Sequence, residues 1–194
     1  MSQQASTGER MSFLGVNHVA LVSRDMAETV AFYENVLDMP LVKTLELPGE
    51  GQHFFFDCGG GATLAFMWFK NAPPAAPGIA SQHANVRKDG AETAIASMNH
   101  LAISIPLEAF DDYAQRLRDR GVKVAIINHN DGPDARRADL TPNTWIRSMY
   151  FADPNGICLE FAALVRPYRA DDVNLAPVDA EGRHVATREM APVG

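Results

Sequence analysis

Cysteine is nearly absent from this chain: Cys58 and Cys158 are the only two among 194 residues. Two thiols cannot staple a domain of this length, so a disulfide framework is excluded and free thiols are expected. Long apolar runs are missing as well. The longest are of strand length, far short of the roughly 20 residues that cross a bilayer as a helix. The opening stretch "MSQQASTGERMSF" lacks the apolar segment of a secretory signal. Positive charge is the third scarcity, with 17 Lys and Arg against 24 Asp and Glu and a net charge of -7. Nucleic acid and anionic membranes need clustered cations, so neither partner is expected. What is present, 46% hydrophobic and 21% charged residues, is ordinary globular content. These features fit a cytoplasmic bacterial-type enzyme or binding protein.

Within that content lies a repeat. "VNHVALV" (Val16 to Val22) is echoed by "MNHLAIS" (Met98 to Ser104), each an Asn-His pair followed by alternating apolar residues. A helical segment follows each copy, "DMAETVAFYENVLDM" and then "PLEAFDDYAQRLRDRG", with apolar residues near helical spacing. Gly121 is placed to cap the second. Three strand-like runs follow each helix, so the order is βαβββ twice. His18 and His100 stand 82 positions apart, and aligning the last strands sets Ala65 opposite Glu160 at an offset of 95. The extra residues of the second copy fall in "NHNDGPDARRADLTPN", a long polar loop of the kind that covers sites. The expected layout is one domain over about 13-164: a first module at about 13-69, a Pro/Ala/Gly-rich linker at about 70-97 and a second module at about 98-164. A polar tail, 165-194, follows. It is expected to lie on the surface or a partner subunit, or to stay loose.

Alternate residues of a strand share a face. His18 goes with Ala20 and Val22, His100 with Ala102 and Ser104, and Glu160 with Cys158 and Ala162. The opposite faces carry the bulky apolar side chains that suit packing under a helix. Small residues around two imidazoles and one carboxylate predict a hollow holding His18, His100 and Glu160, which are metal-ligand types. Asn17 and Asn99 alternate away from the histidines, and Cys158 reads as a small filler.

Two βαβββ copies with His on each first strand and Glu on a last strand resemble the vicinal oxygen chelate superfamily, which includes glyoxalase I, bleomycin-resistance proteins, fosfomycin-resistance thiol transferases and extradiol dioxygenases. The resemblance implies an α+β fold in which the paired modules form an open barrel around a metal cavity. It implies His18, His100 and Glu160 as ligands of a divalent metal. With Ala65 at the fourth position the set is the two-His-one-carboxylate triad of non-haem Fe(II) enzymes. The run Met149-Tyr150-Phe151-Ala152-Asp153-Pro154-Asn155-Gly156 followed by Glu160 is similar to the extradiol signature. Asn143 stands where that signature has His, and the second family histidine, near Ala62, is missing.

On this resemblance the expected activity is Fe(II)-dependent cleavage of a catechol-like aromatic ring with O2, by a homodimer. The expected site residues beside the metal are Tyr150, Asn143 and His129, the last reaching over from the long loop. His53, on alternation from Phe54, is expected to point away, and His83 is a further candidate. Phe54, Phe56, Met67 and Trp145 are candidate pocket walls. The alternatives are a glyoxalase-like lyase or a fosfomycin-resistance-like thiol transferase using Mn(II), Ni(II) or Zn(II), and a non-catalytic small-molecule binder.

Overall fold

The computed structural model describes residues 14–74, 95–132, 134–173, 175–178 and 180–184. The first module runs β1 (His18–Val22), α1 (Met26–Asn35), β2 (Leu41–Leu47), β3 (Gly51–Asp57) and β4 (Thr63–Phe69). The second runs β5 (Leu101–Ser104), α2 (Phe110–Asp119), β6 (Ala125–Asn130), a short β7 (Arg136–Arg137), β8 (Thr144–Ala152) and β9 (Cys158–Leu164). The strand orders are β1-β4-β3-β2 and β5-β9-β8-β6-β7. In each sheet the module's first and last strands pair in parallel, and the other pairs are antiparallel. Val19 pairs with Leu64, and Leu101 with Leu159. The two pairings repeat at the offsets read from the sequence. β7 is an addition of the long loop. Most of the linker, residues 75–94 with His83, lies outside the described residues.

Local chemistry starts and stops the helices. Asp25 caps α1, its carboxylate accepting from the Glu28 N–H at 3.0 Å, which satisfies one of the free donors of a helix start. After α2, Gly121 sits at φ 81°, a left-handed helix end that suits glycine.

The expected open barrel does not form: among the described residues the strands make two separate mixed sheets, and neither closes. The distribution of apolar surface explains this. The modules share one core through their helix-facing sides, with Tyr33, Phe56 and Phe66 of the first meeting Phe110, Met149 and Phe151 of the second. The opposite faces carry small and polar residues. Leaving them open costs little hydrophobic energy, and His18, Ala20 and Val22, like His100, Ala102 and Ser104, stay exposed. Phe56 is wholly in the core and Phe54 packs against it, so neither is a pocket wall.

The Asp153-Pro154-Asn155-Gly156 turn joins the modules. The Tyr33 hydroxyl donates to Asp153 Oδ2 at 3.3 Å, the Arg24 N–H to Asn155 Oδ1 at 2.8 Å, and Asn155 Nδ2 to Thr29 Oγ1 at 3.2 Å. Across the helix ends, Asp38 pairs with Arg116 and Arg120. The start of the tail is likewise tied down, since Arg166 bridges Asp131 and Asp172. Among the described residues no helix is long and apolar enough to cross a membrane.

Burial pushes the Asp153 carboxyl above its ordinary value, more than its hydrogen bonds from Asn155, Ile157 and Tyr33 pull it down. Its contribution to stability is therefore fully present below the unfolded-state value near ~4 and is lost as pH rises through the folded value. Asp153→Asn should flatten the fall in stability over that range, read from urea midpoints against pH. Tyr33→Phe should cost about 1 kcal/mol at any one pH, seen as a lower urea midpoint at unchanged slope.

Candidate active site

Glu160 occupies the middle of β9 with 5% of its surface exposed. A carboxylate so placed needs partners. Its neighbours across the ladders are Tyr150 on β8 and Ala102 on β5, so the side chains reaching it come from both flanking strands. Ser148 Oγ donates to Glu160 Oε1 at 2.5 Å. His100 Nε2 lies 2.9 Å from Oε2. Burial pushes the Glu160 carboxyl up, but the bonds from His100, Ser148 and Tyr150 together with the charge of His100 outweigh it, leaving it below the ordinary value.

The other nitrogen of His100 is held as well: Nδ1 stands 2.7 Å from Asn99 Oδ1. His18 repeats this, with Nδ1 2.8 Å from Asn17 Oδ1. An amide oxygen only accepts, so each ring carries its proton on Nδ1 and turns Nε2 outward, as second partners of metal-bound imidazoles do. The two asparagines thus orient the histidines rather than facing away. They precede the first paired residues of their sheets, where strand alternation does not apply. The 2.9 Å contact between His100 Nε2 and Glu160 Oε2 is a charge-assisted hydrogen bond when the imidazole is protonated.

Tyr150 and His129 complete the second module's half of the site. His129 Nε2 lies 3.2 Å from the Tyr150 hydroxyl. Burial and the Glu160 charge push the Tyr150 phenol up to about 12, so it stays protonated. It donates to Glu160 while its oxygen is free to accept from His129. Burial holds His129 below the usual histidine value, and the ring is neutral at neutral pH. It comes from strand β6, not from the loop after it. These groups line an open cavity of about 450 Å³ with Trp145 on its wall. Cys158 is buried, and burial raises its thiol to about 11, which fits a filler.

Other expected residues stand elsewhere. Asn143 is exposed in the turn before β8 and uses its backbone carbonyl to accept from the Asp131 N–H at 3.0 Å. It does not line the cavity. His53 pairs with Met67, which pairs with Val22 of β1, so it shares the face of His18 instead of pointing away. The counterpart of Tyr150 is Phe55, one position later than the sequence alignment placed it, and that slip reversed the face of His53.

A catalytic metal needs about three protein donors. One chain brings together His100 and Glu160, while His18 belongs to the other sheet beside Phe55. Among the described residues no group of three or more His, Cys, Asp or Glu side chains able to hold an ion forms. The triad expected within one cavity is therefore split between two sheets, and the described residues of one chain do not fit the ion. Sequence reasoning missed Ser148, although its place two residues before Tyr150 puts it on the same face. It also missed the pairing role of Asn17 and Asn99.

Ser148→Ala should move the Glu160 titration upward, because a bond to the charged form is lost, as followed by carboxyl NMR. It should also lower stability by about 1–2 kcal/mol in urea titrations.

Solved structures similar to this chain include a glyoxalase family protein from Enterococcus faecalis, 18% identical over 78% of this chain and 99% of that one with a TM-score of 0.54. Another is the genomically encoded fosfomycin resistance protein FosX of Listeria monocytogenes in a monoclinic form, 20% identical over 79% and 94% of the two chains with a TM-score of 0.50. At such identities the likeness speaks for the fold alone. The sequence itself matches a family across residues 15–161. That span takes in both Asn-His pairs, the first sheet, the second sheet up to the middle of β9, and Glu160, and the chain belongs to the Glyoxalase/Bleomycin resistance protein/Dioxygenase superfamily.

Proposed function

We propose that this protein is a divalent-metal-dependent lyase or thiol transferase of the glyoxalase and fosfomycin-resistance kind. Its site would be assembled from two copies of the chain. The observation that carries the reading is the pair of complementary half-sites: Asn99–His100–Glu160 on the second module and Asn17–His18, with no acid at Ala65, on the first. In each the histidine is exposed, while Glu160 and its counterpart Ala65 lie buried beneath. A two-fold dimer that apposes the first module of one chain to the second module of its partner brings His18 to the His100–Glu160 pair, twice per dimer.

The residues have separate tasks in this reading. His18, His100 and Glu160 hold the ion, Mn(II), Ni(II) or Zn(II) before Fe(II), and Ser148 keeps Glu160 ionised and aimed. The bound ion supplies Lewis acidity toward adjacent oxygens of a small substrate. His129, neutral and half-buried, is the proton acceptor for the substrate through the ring nitrogen not bonded to Tyr150, and Tyr150, whose hydroxyl hydrogen goes to Glu160, holds that carboxylate in place. Ring cleavage is the weaker reading, since Asn143 at the extradiol histidine's position stands outside the cavity.

His100→Ala, Glu160→Gln and His18→Ala should each abolish stoichiometric metal uptake, measured by elemental analysis after dialysis. Co-refolding His18→Ala with Glu160→Gln should restore about a quarter of the sites, because each mixed dimer regains one intact site. No recovery, or a monomer at micromolar concentration, would sink the shared site. Metal-loaded protein should turn over 2-oxoaldehyde–thiol adducts or fosfomycin with a thiol. Fe(II)-loaded protein should show no O2 uptake with catechols.

A further inference from the structure

The turn that joins the modules carries the chain's one Asn-Gly dipeptide, Asn155–Gly156. No side chain shields the backbone nitrogen that follows an asparagine there, so this nitrogen is free to attack the side-chain amide. The Gly156 nitrogen bonds to Asn155 Cγ and gives its proton to water, while the amide nitrogen leaves as ammonia. The cyclic imide so formed is opened by water at either carbonyl. Opening at one carbonyl gives aspartate. Opening at the other gives isoaspartate, in which the chain runs through the side-chain carbon.

In the folded protein both reacting groups are engaged. The Gly156 N–H donates to the Asp153 carbonyl at 3.0 Å. Asn155 Oδ1 accepts from the Arg24 N–H at 2.8 Å, and Nδ2 donates to Thr29 Oγ1 at 3.2 Å and to Asp153 Oδ2 at 3.0 Å. Two of these three side-chain bonds come from the first module. The partners also fix what the side chain must be. Thr29 is wholly buried and gives its one hydroxyl hydrogen to the Asp25 carbonyl at 2.9 Å. Asp153 Oδ2 accepts from Tyr33. Toward Asn155 both groups therefore only accept, and an NH2 group serves both. An acid oxygen in its place meets two acceptors, one of them a carboxylate. Water for the hydrolysis is at hand, because Asn155 and Arg24 stand on the wall of an open cavity of about 880 Å³.

We propose that Asn155 is a deamidation site gated by the contact between the modules: the amide reacts when the turn comes away from Arg24 and Thr29, and the acid it becomes keeps the turn from closing again. The opening is local, of the kind that costs less than unfolding the whole domain. It leaves both sheets and the shared core in place. Loosening of the modules at this turn is thereby made a one-way event in an aged chain. Nothing in it depends on metal binding or on the cavity of the second sheet.

The test incubates full-length protein in mildly alkaline buffer and follows Asn155 by peptide mass spectrometry, with isoaspartate scored by enzymatic methyl labelling. Native wild type should convert at least about tenfold more slowly than the same chain unfolded in urea, because the amide must first release its bonds. Thr29→Val keeps the shape of the side chain and removes the acceptor. It should convert about fivefold faster than wild type, the weight of one hydrogen bond. It should also outpace wild type brought to the same global stability with sub-denaturing urea. Thr29→Ser, which retains the hydroxyl, should convert at the wild-type rate. Asn155→Asp should unfold at a lower urea midpoint than wild type. Equal rates in native and unfolded wild type, equal rates in Thr29→Val and stability-matched wild type, or no conversion in native Thr29→Val would each overturn the gating. An unchanged midpoint in Asn155→Asp would overturn the one-way character. Should Thr29→Val not fold, the native-to-unfolded ratio and Asn155→Asp decide by themselves.

Discussion

A buried carboxylate organises this molecule. Glu160 lies in an apolar strand and stays ionised only because β8 and β5 flank it in one particular register. Ser148 sits one alternation step from its cross-strand partner Tyr150, and His100 sits two residues before its parallel neighbour Ala102. Shifting either pairing by one residue would turn those side chains to the core and leave the charge alone in a low-dielectric layer, at a cost of several kcal/mol. The cavity, the raised phenol of Tyr150 and the orientation of His100 all follow from satisfying that one group.

The duplicated module meets the same geometry with different residues. Ala65 stands in place of Glu160, Phe55 of Tyr150 and His53 of Ser148, while Asn17–His18 is retained. The first sheet thus offers an imidazole in an apolar setting, and the second an imidazole with a carboxylate and a proton-handling chain. Neither half alone meets the donor count of a catalytic metal, and together they do.

The strands and the ligand types were legible because their signals are local and periodic. The Asn-His echo, the equal offsets and the small-residue faces are readable wherever alternation holds. It misled at two kinds of place. At Asn17 and Asn99, at the very entry of the first strands, the side chain's direction is set by its own hydrogen bond to the following histidine. At His53 the alignment slipped by one residue, and in a period of two one residue is the whole error. Asn143 shows a third limit: a position aligned with a family site residue can lie in a turn that leaves it exposed.

The sequence by itself determined two βαβββ units, which faces go under the helices, and the chemistry carried on the other faces, because all of these follow from residue spacing within one strand or helix. Only the tertiary structure decided that the helix-facing sides merge into a single core while the hollow faces stay apart, so that His18 lies on a different sheet from His100 and Glu160. It also decided that the chain beyond β9 folds back to set Tyr168 at the cavity mouth. Those outcomes depend on how much apolar area two distant surfaces can bury against each other and on an arginine meeting two carboxylates far apart in the chain, quantities that no local period encodes.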